Sequence, residues 1–538
     1  MPSLSRDEFL AVVSAEREGD QTVAIPVCIR VLSDQLTPVL AYRRLVAPDE
    51  RTAPSFLLES VEGSQRQARY SILGSRPRLE VVAFGNTVTV RDHTKQMVRA
   101  TTDRSNDPIE TLRRLADSIR LVEPSVSVNR GMLPECVWGG WFGYASYDSV
   151  RYAEPEKLHR MHAPEDDRKL PDLHFGLYDG VCVFDHAEKL VYLVQLALVG
   201  PNDDPEAIYE QTIRTLDERA EEIERHSKPL PAGRVGAHPP PRTLPSNMTR
   251  REHEEMVEKA QEYIRAGDIF QVVVGQRFER RSIADPFDVY RALRAVNPSP
   301  YMVYMQAGPC ILVASSPEIL CRVERNANGE SIVTNRPLAG TRPRGRTTDE
   351  DAALERDLLS DPKECAEHVM LVDLGRNDVG KVARPGSIRL SDVMTIERYS
   401  HVMHISSTVT GALRDDLDAW DALRAALPVG TISGAPKIRA MQIIDELEPV
   451  RRGPYGGGMG YVGLDGQMDI ALALRTIVVP TDAWSAGASE WVYYVQAAGG
   501  IVADSKAGPE FEETVNKAGA LGRAIDLAEE AFGPETDA

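Results

Sequence analysis

Paired cysteines are missing from this chain. None of Cys28, Cys136, Cys182, Cys310, Cys321 and Cys365 stands in a C-x-x-C pair, and none occupies a G-x-C-x-G nucleophile elbow. Scattered cysteines in apolar contexts such as V-C-V-F and P-C-I-L predict buried free thiols in a reducing cytoplasm. Positive charge is short of negative: 62 Lys and Arg against 81 Asp and Glu leave a formal charge of −19. That balance argues against nucleic acid and anionic membranes as partners, and an anionic small substrate would need a local basic site inside the negative field. No apolar run approaches the length of a membrane span. Residues 1–20 carry Asp7, Glu8, Glu16 and Glu18 and no apolar stretch, so no secretory signal is expected there. Fixed-period repeats are absent too.

The 538 residues, 42% hydrophobic and 27% charged, have the length and composition of a soluble globular chain of two or three domains, or of one large extended domain. Residues 25–199 read mainly as strands, among them Leu79–Phe84, Thr87–Val90, Gly180–Phe184 and Leu190–Val194. A Glu- and Arg-rich helix is expected over Pro205–Arg225. The stretch from His226 to Pro245, dense in Pro and Gly, blocks both helix and ladder and reads as a linker. These signals divide the chain at 25–225, 226–247 and 248–530. After the linker, Thr249 and Glu252 fit a capping box and Gly267 a helix end. A strand follows from Ile269 to Phe278. Further helices are expected near Asp285–Val296, Asp349–Leu359, Pro362–Leu374, Leu417–Leu427, Pro436–Glu446 and Pro509–Ala528, with Pro362 and Pro509 at first helical positions. Strands and helices do not alternate one to one, which predicts an α+β fold.

Two remote Glu-x-x-Glu pairs carry the most chemical information. Glu364 and Glu367 lie in K-E-C-A-E-H; Glu510 and Glu513 lie in P-E-F-E-E-T. Spacing i,i+3 puts each pair on one helix face. Such pairs are common on solvated faces, but four carboxylates brought together would suit a hard divalent cation such as magnesium, which prefers oxygen and keeps several waters. Other residues gather around this reading. Gly430–Lys437 enters a helix, whose N-terminal amides favour an anion. The run Tyr455-Gly456-Gly457-Gly458 allows close backbone approach to a ligand. Arg475, inside the apolar run A-L-A-L-R-T-I-V-V, needs a carboxylate from the protein or from a ligand. His404 in an alternating strand is either a satisfied core residue or a functional one. Glu318 opens a strand and becomes a general acid if it is desolvated.

Together these motifs resemble the chorismate-utilising enzymes, in the branch that forms anthranilate. The resemblance rests on G-D-I-F-Q-V-V-V, S-S-P-E-I-L, R-P-L-A-G-T-R-P-R-G, A-E-H-V-M-L-V-D-L-G-R-N-D, V-M-H-I-S-S, T-I-S-G-A-P-K, G-P-Y-G-G-G-M-G-Y and F-E-E-T-V-N-K, in that order. F-L-L-E-S (56–60) and W-G-G-W-F-G-Y (138–144) resemble the family's regulatory half. The resemblance implies antiparallel sheets packed as a sandwich with helices outside and the active site between layers. It implies a regulatory region over 25–225 and a catalytic one over 248–530.

It also implies roles. Mg²⁺ would hold the ring carboxylate of chorismate through Glu367 and Glu513, with Glu364 and Glu510 close by. Glu318 would protonate the departing C4 hydroxyl. Arg475 and Tyr455 would meet the enolpyruvyl carboxylate, and Gly499 and Gly500, together with the Thr431 loop, would add backbone donors. Lys517, four residues after Glu513, would neutralise the acidic cluster or reach the substrate. His404 matches a histidine of the later pyruvate elimination. Family members that add water carry a lysine base where this chain has Gln271; a neutral amide cannot deprotonate water, whereas ammonia is already nucleophilic. Aminodeoxychorismate-forming members carry a nucleophilic lysine where this chain has Ala339, beside Gly340 and Thr341. Ammonia is therefore expected to add directly, giving anthranilate and pyruvate in a lyase reaction of tryptophan biosynthesis. The alternatives are the aminodeoxychorismate reaction and a silent tryptophan-binding regulator.

F-L-L-E-S and N-P-S-P-Y-M resemble the family's tryptophan feedback site, implying Glu59 and Ser60 at the ligand amine and Pro300, Tyr301 and Met302 around it. A carboxylate for an ammonium and apolar walls for an indole fit that ligand. With no elbow cysteine, glutamine hydrolysis is expected on a separate amidotransferase subunit. The assembly implied is a homodimer of the large subunit or a heterotetramer with the amidotransferase, in the cytoplasm.

Overall fold

Strand Ser55–Glu59 pairs antiparallel with strand Tyr301–Gln306, Glu59 opposite Met302 and Ser55 opposite Gln306. Strand Gly140–Ala145 pairs in the same sense with Gly458–Gly463. These two seams sew the halves of the chain into two continuous sheets. In the computed structural model, which describes all residues except 1, 18, 49, 61–68, 96, 124–129, 226–229, 237–241, 400–401, 486 and 534–538, each sheet has twelve strands. Pairing is antiparallel throughout the described ladders, apart from Thr22–Leu32 with Ile119–Leu121. The sequence boundary at 226–247 therefore interrupts neither sheet.

The sheets pack face to face. Phe56 of one and Phe142 of the other stack with ring centroids 4.0 Å apart, and Val183, Leu312 and Met459 are buried around them. Offset aromatic contacts of this kind add to the burial of their area. Both outer faces are apolar as well, which is why helices cover them. The C-terminal helix, Ala507–Phe532, lies on strand Trp491–Ile501 and against helix Pro286–Val296. Helix Pro362–Val382 lies on strand Val402–Ala412 of the other sheet. The architecture is the α+β sandwich with outer helices that the sequence implies.

Several local expectations hold: the Thr249–Glu252 capping box forms, and Gly267 caps that helix at φ +84°. Others need correction. The helix from Pro362 does not stop at Leu374 but continues to Val382; Gly375 inside it packs where no side chain fits, since a Cβ there would lie 2.5 Å from Asn335 Oδ1. The last helix begins at Ala507, so Pro509 is its third residue rather than its first. Proline is tolerated there because first-turn amides have no intrahelical partner. Arg475 is not inside a strand. It stands between Met468–Leu472 and Thr476–Pro480 with φ +46°. Parts of the linker, 226–229 and 237–241, lie outside the described residues. Its described part is tied to the last helix by Gly236 N–H to Glu530 and Arg242 N–H to Asp526.

Candidate active site

The two Glu-x-x-Glu pairs face one another across a single cavity of about 930 Å³. Glu364 and Glu367 enter from the start of helix Pro362–Val382, and Glu510 and Glu513 from the start of helix Ala507–Phe532. Asp361 caps the first helix by accepting from Lys363 and Glu364 backbone N–H groups. The Glu364 carboxyl is held above its ordinary range by burial and by the charge of Glu367; Glu510 is raised by burial and by Glu513, against a hydrogen bond from Ser505. Lys517 answers part of this charge: its ammonium lies 2.6 Å from Glu513 and donates to the Ala498 carbonyl at 2.9 Å. Lys517 is thus ion-paired inside the acidic cluster and lines the cavity.

Strand Trp491–Ile501 forms the floor between the pairs. A Cβ at Gly499 would lie 3.3 Å from Glu510 Oε2, and one at Gly500 would lie 2.7 Å from Gln271 Nε2 and 3.5 Å from Glu367 Oε1. Glycine is needed because carboxylates from both helices close over this backbone. Gly500 lines the cavity, whereas Gly499 lies beneath Glu510 and is absent from the lining. Gln271, fully buried, donates Nε2 to Glu367 Oε1 at 2.8 Å, while its Oε1 has no partner among the described residues.

Glu318 sits deeper and is 4% exposed. Burial pushes its carboxyl up to about 8, despite the Thr431 hydroxyl 3.1 Å away and a backbone bond from Leu338. A carboxylic acid that keeps its proton at neutral pH can donate it. Thr431 thus meets Glu318 through its side chain, a contact the sequence does not signal. It stands in a one-turn helix, Gly430–Ser433, that brings the hydroxyl to Glu318.

His404, on strand Val402–Ala412, approaches from the opposite sheet edge. Its Nδ1 lies 2.8 Å from the Gly340 carbonyl and 3.1 Å from the Thr341 hydroxyl. A carbonyl only accepts, so Nδ1 carries the proton and Nε2 keeps a lone pair. That Nε2 is buried and unpartnered among the described residues. Burial and the charge of Arg475 lower the imidazole to about 4, so it is neutral at physiological pH. Ala339, Gly340 and Thr341 line the cavity beside it. Arg475 and Tyr455 complete the lining. The Arg475 guanidinium makes no ion pair or hydrogen bond among the described residues, and burial lowers its pKa. A backbone at φ +46° costs about 1–3 kcal/mol in a residue other than glycine. An unpaired, strained arginine in a cavity is suited to a ligand carboxylate.

The donor set matches a magnesium ion in chemistry: hard oxygens whose mutual repulsion a cation would relieve. Among the described residues no three metal-ligating side chains are drawn together into a closed cage. An open pair of carboxylates fits an ion that keeps waters and binds a substrate oxygen.

A second cavity, of about 360 Å³, gathers Glu59, Ser60, Pro300, Tyr301 and Met302. Glu59 is buried there; Tyr290 donates to it at 2.6 Å and Arg294 lies 2.9 Å away. Burial raises the Glu59 carboxyl, and Arg294 and Tyr290 oppose the shift. A ligand amine would share this carboxylate rather than find it free. No sequence signal pointed to Tyr290 or Arg294, which come from a helix far along the chain.

The chorismate binding enzyme family matches residues 54–523. The chain is 53% identical over 527 residues, covering 95% of it and 87% of its counterpart, to a chloroplastic anthranilate synthase alpha subunit 1 of Arabidopsis thaliana. It is 43% identical to an anthranilate synthase component 1 of Pseudomonas aeruginosa, over 98% of this chain and all of that one. A solved anthranilate synthase component I from Streptococcus pneumoniae superposes with a TM-score of 0.68 at 34% identity, covering 92% of this chain and 99% of that one.

Proposed function

The chain belongs to the chorismate-binding enzyme family, and from that premise we propose that it is the large subunit of an anthranilate synthase, converting chorismate and ammonia to anthranilate, pyruvate and water. The observation that carries this reading is the convergence of Glu318, Glu367, His404, Arg475 and Glu513 on one cavity. Arg475 and Tyr455 bind the enolpyruvyl carboxylate. Glu318 delivers its proton to the C4 hydroxyl as it leaves. Ammonia adds at C2 directly, since Ala339 offers no amine and Gln271 no base for water. His404, through Nε2, takes the ring proton at C2; the ring becomes aromatic and pyruvate departs. Glu367 and Glu513 would hold Mg²⁺, with Glu364 and Glu510 adjacent; when bound, it would grip the ring carboxylate and offset the charge that shifts as the hydroxyl leaves.

The reaction is that of a lyase. Ammonia comes from glutamine on a separate amidotransferase subunit, a reading supported by the missing cysteine elbow in these 538 residues. Tryptophan occupies the second cavity and inhibits. The assembly is a homodimer or a heterotetramer with the amidotransferase. Six free cysteines support a reducing, cytoplasmic setting, and no helix among the described residues is long and apolar enough to cross a membrane.

Incubation with chorismate, Mg²⁺ and ammonium tests the reading. Anthranilate fluorescence without an added lyase is the expected result. Accumulation of a para-amino intermediate, or tryptophan binding without turnover, would overturn it.

A further inference from the structure

The two cavities share a wall. Pro317, Leu338 and Tyr399 line both of them. The segment 297–302 is split in the same way: Asn297, Pro298 and Ser299 border the large cavity, and its last three residues the small one. Each wall residue touches a group of the reaction. Pro317 precedes Glu318 in the chain. Leu338 bonds to Glu318 through its backbone. The Tyr399 ring lies 5.7 Å from the His404 ring, tilted by 58°.

Tyr399 also reaches the other way. It is 7% exposed, and its hydroxyl donates to Glu397 Oε2 at 2.6 Å. Glu397 lines the small cavity and is ion-paired there with Arg336. The main chain of Tyr399 is fixed, its N–H donating to the Val402 carbonyl at 2.8 Å and its carbonyl accepting from Arg344 at 2.6 Å. What is left to move is the side chain, held by its hydroxyl on one side and packed on the imidazole by its ring on the other.

We propose that Tyr399 is a positioning residue that couples the two cavities: occupation of the small one disturbs the Glu397–Tyr399 bond and shifts the ring against His404. This rests on reading the small cavity as the tryptophan site. Coupling of this kind is reciprocal and needs a differential contact in the two states, which the bond to Glu397 provides.

The test is Tyr399→Phe, which removes the hydroxyl and keeps the ring. Tryptophan binding is measured by calorimetry and turnover at saturating tryptophan by anthranilate fluorescence. Wild type is expected to lose turnover by about tenfold or more, within the usual range of coupling. The variant is expected to bind tryptophan within about threefold of wild type, yet keep more than half of its own turnover, a separation of binding from inhibition that a merely structural residue would not produce. Full inhibition of the variant would overturn the proposal. So would weaker tryptophan binding than that, which would make Tyr399 part of the effector site. Glu397→Gln, which leaves the ring untouched, is held to the same criterion and decides the matter if Tyr399→Phe does not fold. A wild-type chain that binds no tryptophan would defeat the reading of the cavity itself, and that result appears before any substitution at Tyr399.

Discussion

Gln271 donates its side-chain amide to Glu367 across 2.8 Å, joining the first residue of strand Gln271–Ser282 to the first turns of helix Pro362–Val382. The bond ties the residue proposed to leave water without a base to a carboxylate proposed to hold the metal ion. It exists because residue 500 has no side chain.

Gly500→Ala is therefore expected to abolish most turnover without unfolding the protein. Its methyl would come 2.7 Å from Gln271 Nε2, so the amide must leave Glu367. A flexible side chain gives way more cheaply than backbone, so melting temperature should change little while kcat/KM falls by about 10²-fold, the cost of misplacing a reacting group by 1 Å. Steady-state kinetics beside thermal melts check this.

Turnover should depend on pH in a fixed sense. Glu318 must be protonated, and its carboxyl sits at about 8, so kcat falls on the alkaline side as pH rises through that value. His404 must be neutral, and it titrates at about 4, so its imidazole stays deprotonated throughout the neutral range. Glu318→Gln keeps a partner for Thr431 but cannot give up a proton; it should lose about 10²–10⁴-fold in kcat and with it the alkaline limb. A pH–rate profile with the limb still present in Glu318→Gln would assign it elsewhere.

Arg475→Gly separates stability from binding. The guanidinium has no partner to lose among the described residues, and glycine relieves the backbone at φ +46°. Relief of about 1–3 kcal/mol outweighs the entropy cost of glycine, about 0.5–1 kcal/mol, so the variant should melt no lower than wild type. Loss of a charged contact worth about 1.5–3 kcal/mol should raise the KM for chorismate about 10–150-fold. Lower stability with unchanged KM would mean that Arg475 serves the fold.

Ser60→Phe should fill part of the 360 Å³ cavity and relieve tryptophan inhibition. Turnover without tryptophan should stay within about twofold, since polar-to-apolar changes away from the chemistry seldom exceed a few tenths of a kcal/mol. Inhibition curves for the two proteins decide it, and unchanged sensitivity would remove Ser60 from the effector site.

The sequence was most legible where chemistry is local. The i,i+3 carboxylates, the Thr249 capping box and strand Leu79–Phe84 all follow from spacing and residue type over a few positions. Family motifs supplied Glu318, His404 and Arg475. Contacts between distant segments were not legible: Thr431 to Glu318, Tyr290 and Arg294 to Glu59, and Tyr399 between two cavities all depend on strand register. The linker at 226–247 marks a boundary in sequence only. It is a real break in local propensity, yet Glu59 opposite Met302 carries the sheet across it. The helix expected over Pro362–Leu374 runs on to Val382, and the Asn335 side chain that Gly375 packs against inside it is not visible in the sequence.

The central claim is that Glu367 and Glu513, from helices about 150 residues apart in sequence, grip one dication. Mn²⁺ binding, followed by electron paramagnetic resonance in the presence of chorismate without ammonium, tests it directly. The account predicts one ion per chain in wild type, affinity lowered at least about tenfold in Glu367→Gln and in Glu513→Gln, and no specific ion in the double variant. Equal Mn²⁺ binding by wild type and the double variant would contradict it.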